Sequence, residues 1–281
     1  PITPATDILH ELAKHKSLNV ITVQAEDEIS GICTAIGASF GGKLAVTSTS
    51  GPGLALKSEA LGLCVMAELP LVLIDVQRGG PSTGMPTKSE QTDLMQALYG
   101  RNGESPLVVL SAKSTGDCFK AAFDAAKIAL EHMTPVILLT DAYTANGSVA
   151  WKIPDYEKYP EIKPNYVKNY KGSEPWKPYF RDEKSLVRYW AIPGDEGFQH
   201  RLGGLEKDNL TSAISTHPEN HQLMVTKRQQ KIRNIADCIE PLEVEGDKDA
   251  DLLIVGWGGT YGHLHEVAEC MQQNGKKVAH A

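Results

Sequence analysis

No run of 18 apolar residues occurs anywhere in the sequence, so it contains no candidate transmembrane helix. No basic tract occurs either. Lys and Arg number 28 against 35 Asp and Glu, a formal net charge of -7, which gives nucleic-acid binding little support. The five cysteines, Cys33, Cys64, Cys118, Cys238 and Cys270, include no CxxC pair. An iron–sulfur or zinc site built by this chain alone is therefore not expected, and a reduced, cytoplasmic setting fits best. There is no GxGxxG fingerprint, and the glycine-rich loop at 77–91 lacks the GKS or GKT ending of a phosphate loop. An ATPase reading is rejected on that ground. What remains is the composition of an ordinary globular chain, 41% apolar and 22% charged over 281 residues, enough for one large or two smaller domains.

The pattern along the chain alternates short apolar runs with helical stretches. Thr3-Pro4 predicts a helix start, with Thr3 as N-cap and a buried stripe of Ile8, Leu9, Leu12 and Ala13. Val20–Val23, Leu44–Thr47, Leu71–Asp75, Leu107–Leu110 and Pro135–Leu139 read as strands. Between them, helices are predicted from Glu28 (Ile29, Ile32, Cys33 and Ile36 inward), from Leu54 to Ala67, from Asp93 to Tyr99 and from Thr115 to His132. Such alternation with short links predicts an α/β fold, a mostly parallel sheet covered by helices. Residues 144–215 carry Trp151, Trp176 and Trp190 among prolines and tyrosines with little periodicity. That stretch is expected to wrap the surface or form a subunit contact. A helix from Pro218 to about Cys238 carries Lys227, Arg228, Lys231 and Arg233, expected as a solvated face or partner contact. Pro241–Ala250 reads as a linker. Asp251–Trp257 then begins a strand, Gly258–Gly262 a turn, and a helix follows through Met271. The expected division is residues 1–245 as one domain and 250–281 as the beginning of a second α/β domain.

One stretch organises the first domain. Glu26, Asp27 and Glu28 lie where a strand passes into a helix dense in small residues, and Thr49-Ser50-Gly51-Pro52-Gly53 turns the next strand into its helix. A carboxylate at such a junction is a candidate buried acid. Equally, Glu28 can be a first-turn acid that only complements the helix dipole. The loop that follows Asp75, QRGGPSTGMPTKSEQ, holds Arg78, Ser82, Thr83 and Lys88 beyond the carboxyl end of an apolar strand, where α/β folds place ligands. His200, His217 and His221 read as structural or interface residues.

Taken in order, Pro1-Ile2-Thr3-Pro4, Glu28, TSTSGPG at 47–53 and QRGGPSTGMPTKSEQTD at 77–93 resemble the alpha subunit of the 2-oxoacid:ferredoxin oxidoreductases. The GPSTGMPTKSEQTD form, with GGLE at 203–206 and HPENH at 217–221, is more similar to the 2-oxoglutarate-type branch than to the long pyruvate enzymes. The resemblance implies a pyrimidine-type thiamine-diphosphate-binding fold whose first strand is missing here, and upstream sequence before Pro1. It implies oxidative decarboxylation of a 2-oxoacid, 2-oxoglutarate first, to succinyl-coenzyme A and CO₂ with electrons passed to ferredoxin. Pyruvate or a branched-chain 2-oxoacid is the alternative substrate, and a non-catalytic scaffold the alternative role.

By the same resemblance Glu28 contacts N1′ of the aminopyrimidine, and a carboxyl group in an apolar pocket can share a proton with a ring nitrogen. Thr3 and Arg78 are implied substrate residues, Arg78 through a donor fork suited to a carboxylate. Ser50, Gly51 and Gly53 would shape the wall around the pyrimidine, and Lys88 competes between a distal substrate carboxylate and an ion pair. No GDG followed by an asparagine some 25–30 residues later is present, and Gly194-Asp195-Glu196-Gly197 is not that motif. The resemblance therefore assigns Mg²⁺, the diphosphate and a [4Fe-4S] cluster to a beta-subunit partner, with no metal on this chain. Ferredoxin, the 2-oxoacid and coenzyme A complete the expected partners.

Overall fold

The computed structural model describes residues 2–172 and 174–281. Pro1, the first residue of the opening motif, lies outside the described residues. In chain order, α1 (Thr6–Leu12) leads to α2 (Glu28–Phe40), β1 (Val46–Thr49), α3 (Gly51–Ala67), β2 (Leu71–Gln77), α4 (Leu94–Tyr99), β3 (Val108–Ser111), α5 (Cys118–His132), β4 (Pro135–Asp141) and the short α6 (Ala142–Asn146). Among the described residues of the 147–217 stretch that follows there are two 3₁₀ turns and a few isolated β-bridges. Then come α7 (Pro218–Ala236), β5 (Glu245–Gly246), β6 (Leu252–Ile254), α8 (Tyr261–Gln273) and β7 (Val278–His280).

The first four strands form one parallel sheet in the order β1-β2-β4-β3. The two central strands, LVLIDVQ and PVILLTD, are apolar almost throughout because helices cover both faces. One face packs with α2 and α3 around Ile32, Leu54, Leu61 and Leu73, and the other with α5 around Ala125, Val136 and Leu138. A second, three-stranded sheet has the order β5-β7-β6.

Several expectations shift. Thr3 and Pro4 lie in a turn closed by the Ala5 N–H donating to the Ile2 carbonyl at 2.8 Å. Ala5, not Thr3, is the N-cap, and α1 buries no residue fully. Residues 20–23 join no sheet among the described residues, and Ile21 is 88% exposed. Strand propensity reports fit to a half-buried pleated surface, and this run meets none. The inward face of α2 is Ile32, Ala35, Ile36 and Ser39, while Ile29 and Cys33 point outward. Ser39 belongs inside because its hydroxyl donates to the Pro70 carbonyl at 2.6 Å.

The largest correction concerns α7. Its basic run was expected as a solvated face or partner contact; Arg233 is exposed, yet Arg228 and Lys231 are buried. For Lys231 the cause is Glu68, a buried acid at the end of α3. Lys231 Nζ donates to Glu68 Oε2 at 3.1 Å and to the Met133 carbonyl at 2.8 Å, and Arg181 Nε donates to Glu68 Oε1 at 3.0 Å. Arg188 Nε reaches the Glu68 carbonyl, and Lys207 Nζ the Met66 carbonyl. Arg228 bonds Glu104 and Glu206. This knot pins the irregular 147–217 segment and α7 to the end of α3. Trp190, fully buried and stacked on Tyr166 at 5.4 Å, fills the adjoining core, so packing rather than an interface claims that tryptophan.

Burial alone would raise the Glu68 carboxyl, but Arg181 and Lys231 overcome it and hold the group well below the usual carboxylate range. Glu68→Gln leaves these cations buried without their counter-charge and should cost about 3–5 kcal/mol. The urea midpoint measures it, and an unchanged midpoint would remove the knot from the account. Because the folded pKa is depressed, the contribution is present above the unfolded glutamate pKa of about 4.3 and is lost as pH falls through the folded value. The gap between parent and variant should therefore narrow in acid.

Candidate active site at the carboxyl edge of the sheet

Parallel pairing brings the ends of β1, β2, β3 and β4 to one edge, and the sequence places its polar residues there. Thr49, Ser50, Asp75, Gln77, Arg78, Asp93 and Asp141 are all buried at this edge. The Gln77 amide ties the strands together. Its Nε2 donates to the Thr140 carbonyl at 3.1 Å, and its Oε1 accepts the Asp93 N–H at 3.0 Å.

Strand order reverses between β2 and β4, the position where open α/β sheets usually bind ligands. Here the chain's own glycine turn occupies it. Gln91 Nε2 donates to the Trp257 carbonyl at 2.9 Å. A Cβ on Gly258 would meet the Gln91 amide, and one on Gly259 the Asp141 carboxylate. The glycines at 258–259 thus serve close packing between the two sheets and not a nucleotide.

The open part of the edge lies at β1 and the start of α3. Asp27 caps α2, its carboxylate accepting the Ser30 N–H at 2.8 Å, which fixes Glu28 as the first helical residue. Glu28 is half-buried and rests against the Ser50–Gly53 turn. A Cβ on Gly53 would overlap the Thr49 hydroxyl and stand 2.8 Å from Glu28 Cγ. Lys57, buried on α3, donates to the Glu28 carbonyl at 3.0 Å and to Thr47 Oγ1 at 3.1 Å. Burial pushes the Lys57 ammonium down, with the Glu28 charge opposing that shift. Ser50 Oγ is buried and has no partner. Glu28, Ser50, Gly51 and Gly53, four of the expected residues, therefore meet.

Thr3 and Arg78 also meet, though through the backbone. Arg78 is buried, with NH1 donating to the Thr3 carbonyl at 2.6 Å and NH2 to the Thr83 carbonyl, while Nε has no partner. The Thr3 side chain is exposed, and Lys88 lies exposed on the 79–91 loop without an ion pair among the described residues. Arg78 is thus neither a surface salt bridge nor wholly free.

Sequence reasoning missed one feature here, a pair of carboxyl groups behind the turn. Asp75 pairs in register with Thr49, and a Cβ on Gly51 would lie 2.8 Å from both Asp93 oxygens. Neither Asp75 oxygen meets a nitrogen or hydroxyl donor, and the Asp93 carboxyl is its partner. Burial first, then the Asp93 charge, pushes Asp75 well above the ordinary carboxylate range, and burial raises Asp93 too. Burial and the neighbouring carboxylate thus both favour the neutral form of Asp75, so that one proton can serve the pair. A lone polar residue inside the apolar run LVLIDVQ was the available signal.

Since the folded pKa of Asp75 is raised, the pair's stabilisation is complete below the unfolded aspartate pKa of about 3.9 and drains away as pH rises through the raised value. Asp75→Asn, which carries its own donor, should therefore gain about 1 kcal/mol over the parent at alkaline pH and little in acid. Urea denaturation across that range checks it, and a pH-independent difference would contradict the shared proton.

A family model described as "Pyruvate flavodoxin/ferredoxin oxidoreductase, thiamine diP-bdg" matches residues 1–219. The chain is 58% identical over 282 residues to the 2-oxoglutarate oxidoreductase subunit KorA of Mycobacterium tuberculosis, covering all of this chain and 42% of that protein. It is 34% identical over 260 residues to the 2-oxoglutarate synthase subunit KorA of Methanothermobacter marburgensis, covering 92% of this chain and 68% of that one. A solved 2-oxoglutarate:ferredoxin oxidoreductase from Magnetococcus marinus, with 2-oxoglutarate, coenzyme A and succinyl-CoA bound, superposes with a TM-score of 0.92 at 39% identity. That match covers the whole of this chain and 48% of the other. The chain thus spans less than half the length of the Mycobacterium and Magnetococcus proteins, and it belongs to the pyruvate flavodoxin/ferredoxin oxidoreductase family of thiamine-diphosphate-binding proteins.

Proposed function

We propose that this chain is the alpha-type, pyrimidine-holding part of an enzyme that oxidatively decarboxylates 2-oxoglutarate to succinyl-coenzyme A and CO₂ and passes the electrons to ferredoxin. The observation that carries the proposal is the approach of Glu28 to the glycine turn at the start of α3, beside a buried Ser50 hydroxyl with no partner. The names of the Mycobacterium and Methanothermobacter relatives, and the ligands of the Magnetococcus structure, support 2-oxoglutarate.

The residues fit a thiamine pyrimidine. Gly51 and Gly53 lack the Cβ that would collide with the Asp93 carboxylate and with Thr49 and Glu28, so the turn packs directly against these side chains; Ser50 offers an unsatisfied hydroxyl, and Glu28 offers a carboxyl. Thiamine diphosphate, when bound, supplies an electron sink for the bond that releases CO₂. Glu28 holds and returns a proton at the ring nitrogen N1′. Ser50 and the glycine backbone orient the ring against it. Arg78 shapes the 79–91 loop with two of its N–H groups and keeps Nε for a substrate carboxylate, and Thr3 anchors that arginine through its carbonyl. Lys88 is held by no ion pair among the described residues and meets the distal carboxylate of a dicarboxylic substrate.

A half-buried acid needs a cover to work in a dry site. Exposed Ile21, Val23, Ile29, Leu44, Val46 and Leu56 lie on the segments around Glu28 and β1. They form the seam against a beta subunit that carries the diphosphate site, Mg²⁺ and a [4Fe-4S] cluster. Coenzyme A and ferredoxin are the remaining partners. The second α/β unit, expected from residue 250 after a first domain ending near 245, takes in β5 (Glu245–Gly246) as well, because that strand pairs with β7 in the second sheet. No helix among the described residues is long and apolar enough to cross a membrane, and the setting is the reduced cytoplasm.

In the assembled enzyme, Glu28→Gln should lower decarboxylation about 10²–10⁴-fold while the complex still elutes at its parent size. Parent-like turnover would end the assignment. Arg78→Lys keeps the charge but loses the fork, and kcat/KM for 2-oxoglutarate should fall about tenfold or more. A substrate panel on the parent complex that favours pyruvate over 2-oxoglutarate would overturn the substrate proposal.

A further inference from the structure

Away from the sheet edge, the small second sheet brings together three residues that are far apart in sequence. Glu245 on β5 is the direct cross-strand partner of His280 on β7, and α8 lays His265 over both. His265 Nδ1 stands 2.9 Å from His280 Nε2 and 3.3 Å from Glu245 Oε2, and His280 Nε2 stands 3.8 Å from the same oxygen. Among the described residues this is the one cluster of three or more such side chains with converging ligand atoms. His280 is buried, His265 half-buried and Glu245 exposed, so the cluster opens to solvent on one side.

The distances match a metal site in size. In a tetrahedral zinc site with bonds of about 2.0–2.1 Å, ligand atoms stand roughly 3.3 Å from one another. The three separations, 2.9 to 3.8 Å, bracket that edge.

The surroundings also suit ligation. Glu269 Oε1 lies 3.4 Å from His265 Nε2, the ring nitrogen that does not face the cluster. A proton held there by the carboxylate leaves Nδ1 with its lone pair inward. The Tyr261 hydroxyl stands 3.1 Å from Glu245 Oε1 and 3.5 Å from Oε2, so it donates chiefly to Oε1, and Oε2 is the oxygen nearer the two imidazoles. Three acceptor atoms then converge with at most one proton to share, the His280 Nε2–H. A cation at their centre satisfies all three. A positive charge is nearby: Lys113 Nζ stands 4.3 Å over the Tyr261 ring.

The geometry points to Glu245, His265 and His280 as a binding site for one divalent transition ion of the zinc class, clipping β5 to β7 and α8. Cysteine spacing gave no sign of it, because the ligands are imidazole and carboxylate and the fold, not the sequence, gathers them. The site is independent of the one at Glu28.

The test uses the purified complete protein with its partner subunits, treated with a chelator and dialysed against Zn²⁺ alone. Zinc retained per chain and the shift in thermal unfolding are read for the parent, His265→Gln and Glu245→Gln. Both variants alter partly exposed side chains, and their far-ultraviolet dichroism reports whether the fold survives. The expected result is one more zinc retained by the parent than by either folded variant. Affinity at that site should fall by more than about tenfold, the loss that outer-shell changes alone can cause, together with loss of the zinc-dependent thermal shift. Equal zinc retention by the parent and both folded variants, or none by the parent, would overturn the proposal.

Discussion

A carboxylate taken fully out of water must be met by charge, and Glu68 shows how much of a fold such a requirement can arrange. It sits at the left-handed residue that ends α3, φ +51°, where the chain turns back toward β2. Arg181 and Arg188 come to it from the irregular segment, Lys207 reaches the same turn, and Lys231 comes from α7. None of these pieces adds a strand to the parallel sheet. Their attachment rests on this acid, on the Arg228 pairs with Glu104 and Glu206, and on Trp190 packed against Tyr166. Removing one partner would strand the others as unpaired buried charges.

The same helix carries the candidate site at its other end. A 17-residue helix spans about 25 Å. Its far turn is held by the Glu68 knot, and its first turn offers Ser50, Gly51 and Gly53 to Glu28. Behind that turn lie Asp75 and Asp93, whose carboxyls burial pushes up toward the neutral form. The carboxyl edge of the sheet is thus divided. Toward β3 and β4 the glycines at 258–259 close it by packing on Gln91 and Asp141, and toward β1 it stays open. That open stretch lies next to an edge strand and exposed apolar side chains.

Much of this was legible in the residues. The alternation of apolar runs and helical stretches set the parallel α/β sheet, and β2, β4, α3 and α5 fall close to their expected places. The small residues of Thr49–Gly53 and the loop after Asp75 marked the candidate site. Less legible was direction. Ile29 and Ile32 look alike on paper, yet one faces out and the other in. Residues 20–23 have strand composition without a strand to pair with.

Local periodicity and glycine placement determined the type of most elements, the parallel sense of the sheet and the neighbourhood of Glu28, because those depend on residues close in sequence. Which charges are buried, which carboxyls are pushed toward the neutral form and which imidazoles face one acid were decided by tertiary contact alone. Glu68 meets Lys231 across 163 positions and Glu245 meets His280 across 35, and a chain read in order carries no record of distances that only folding sets.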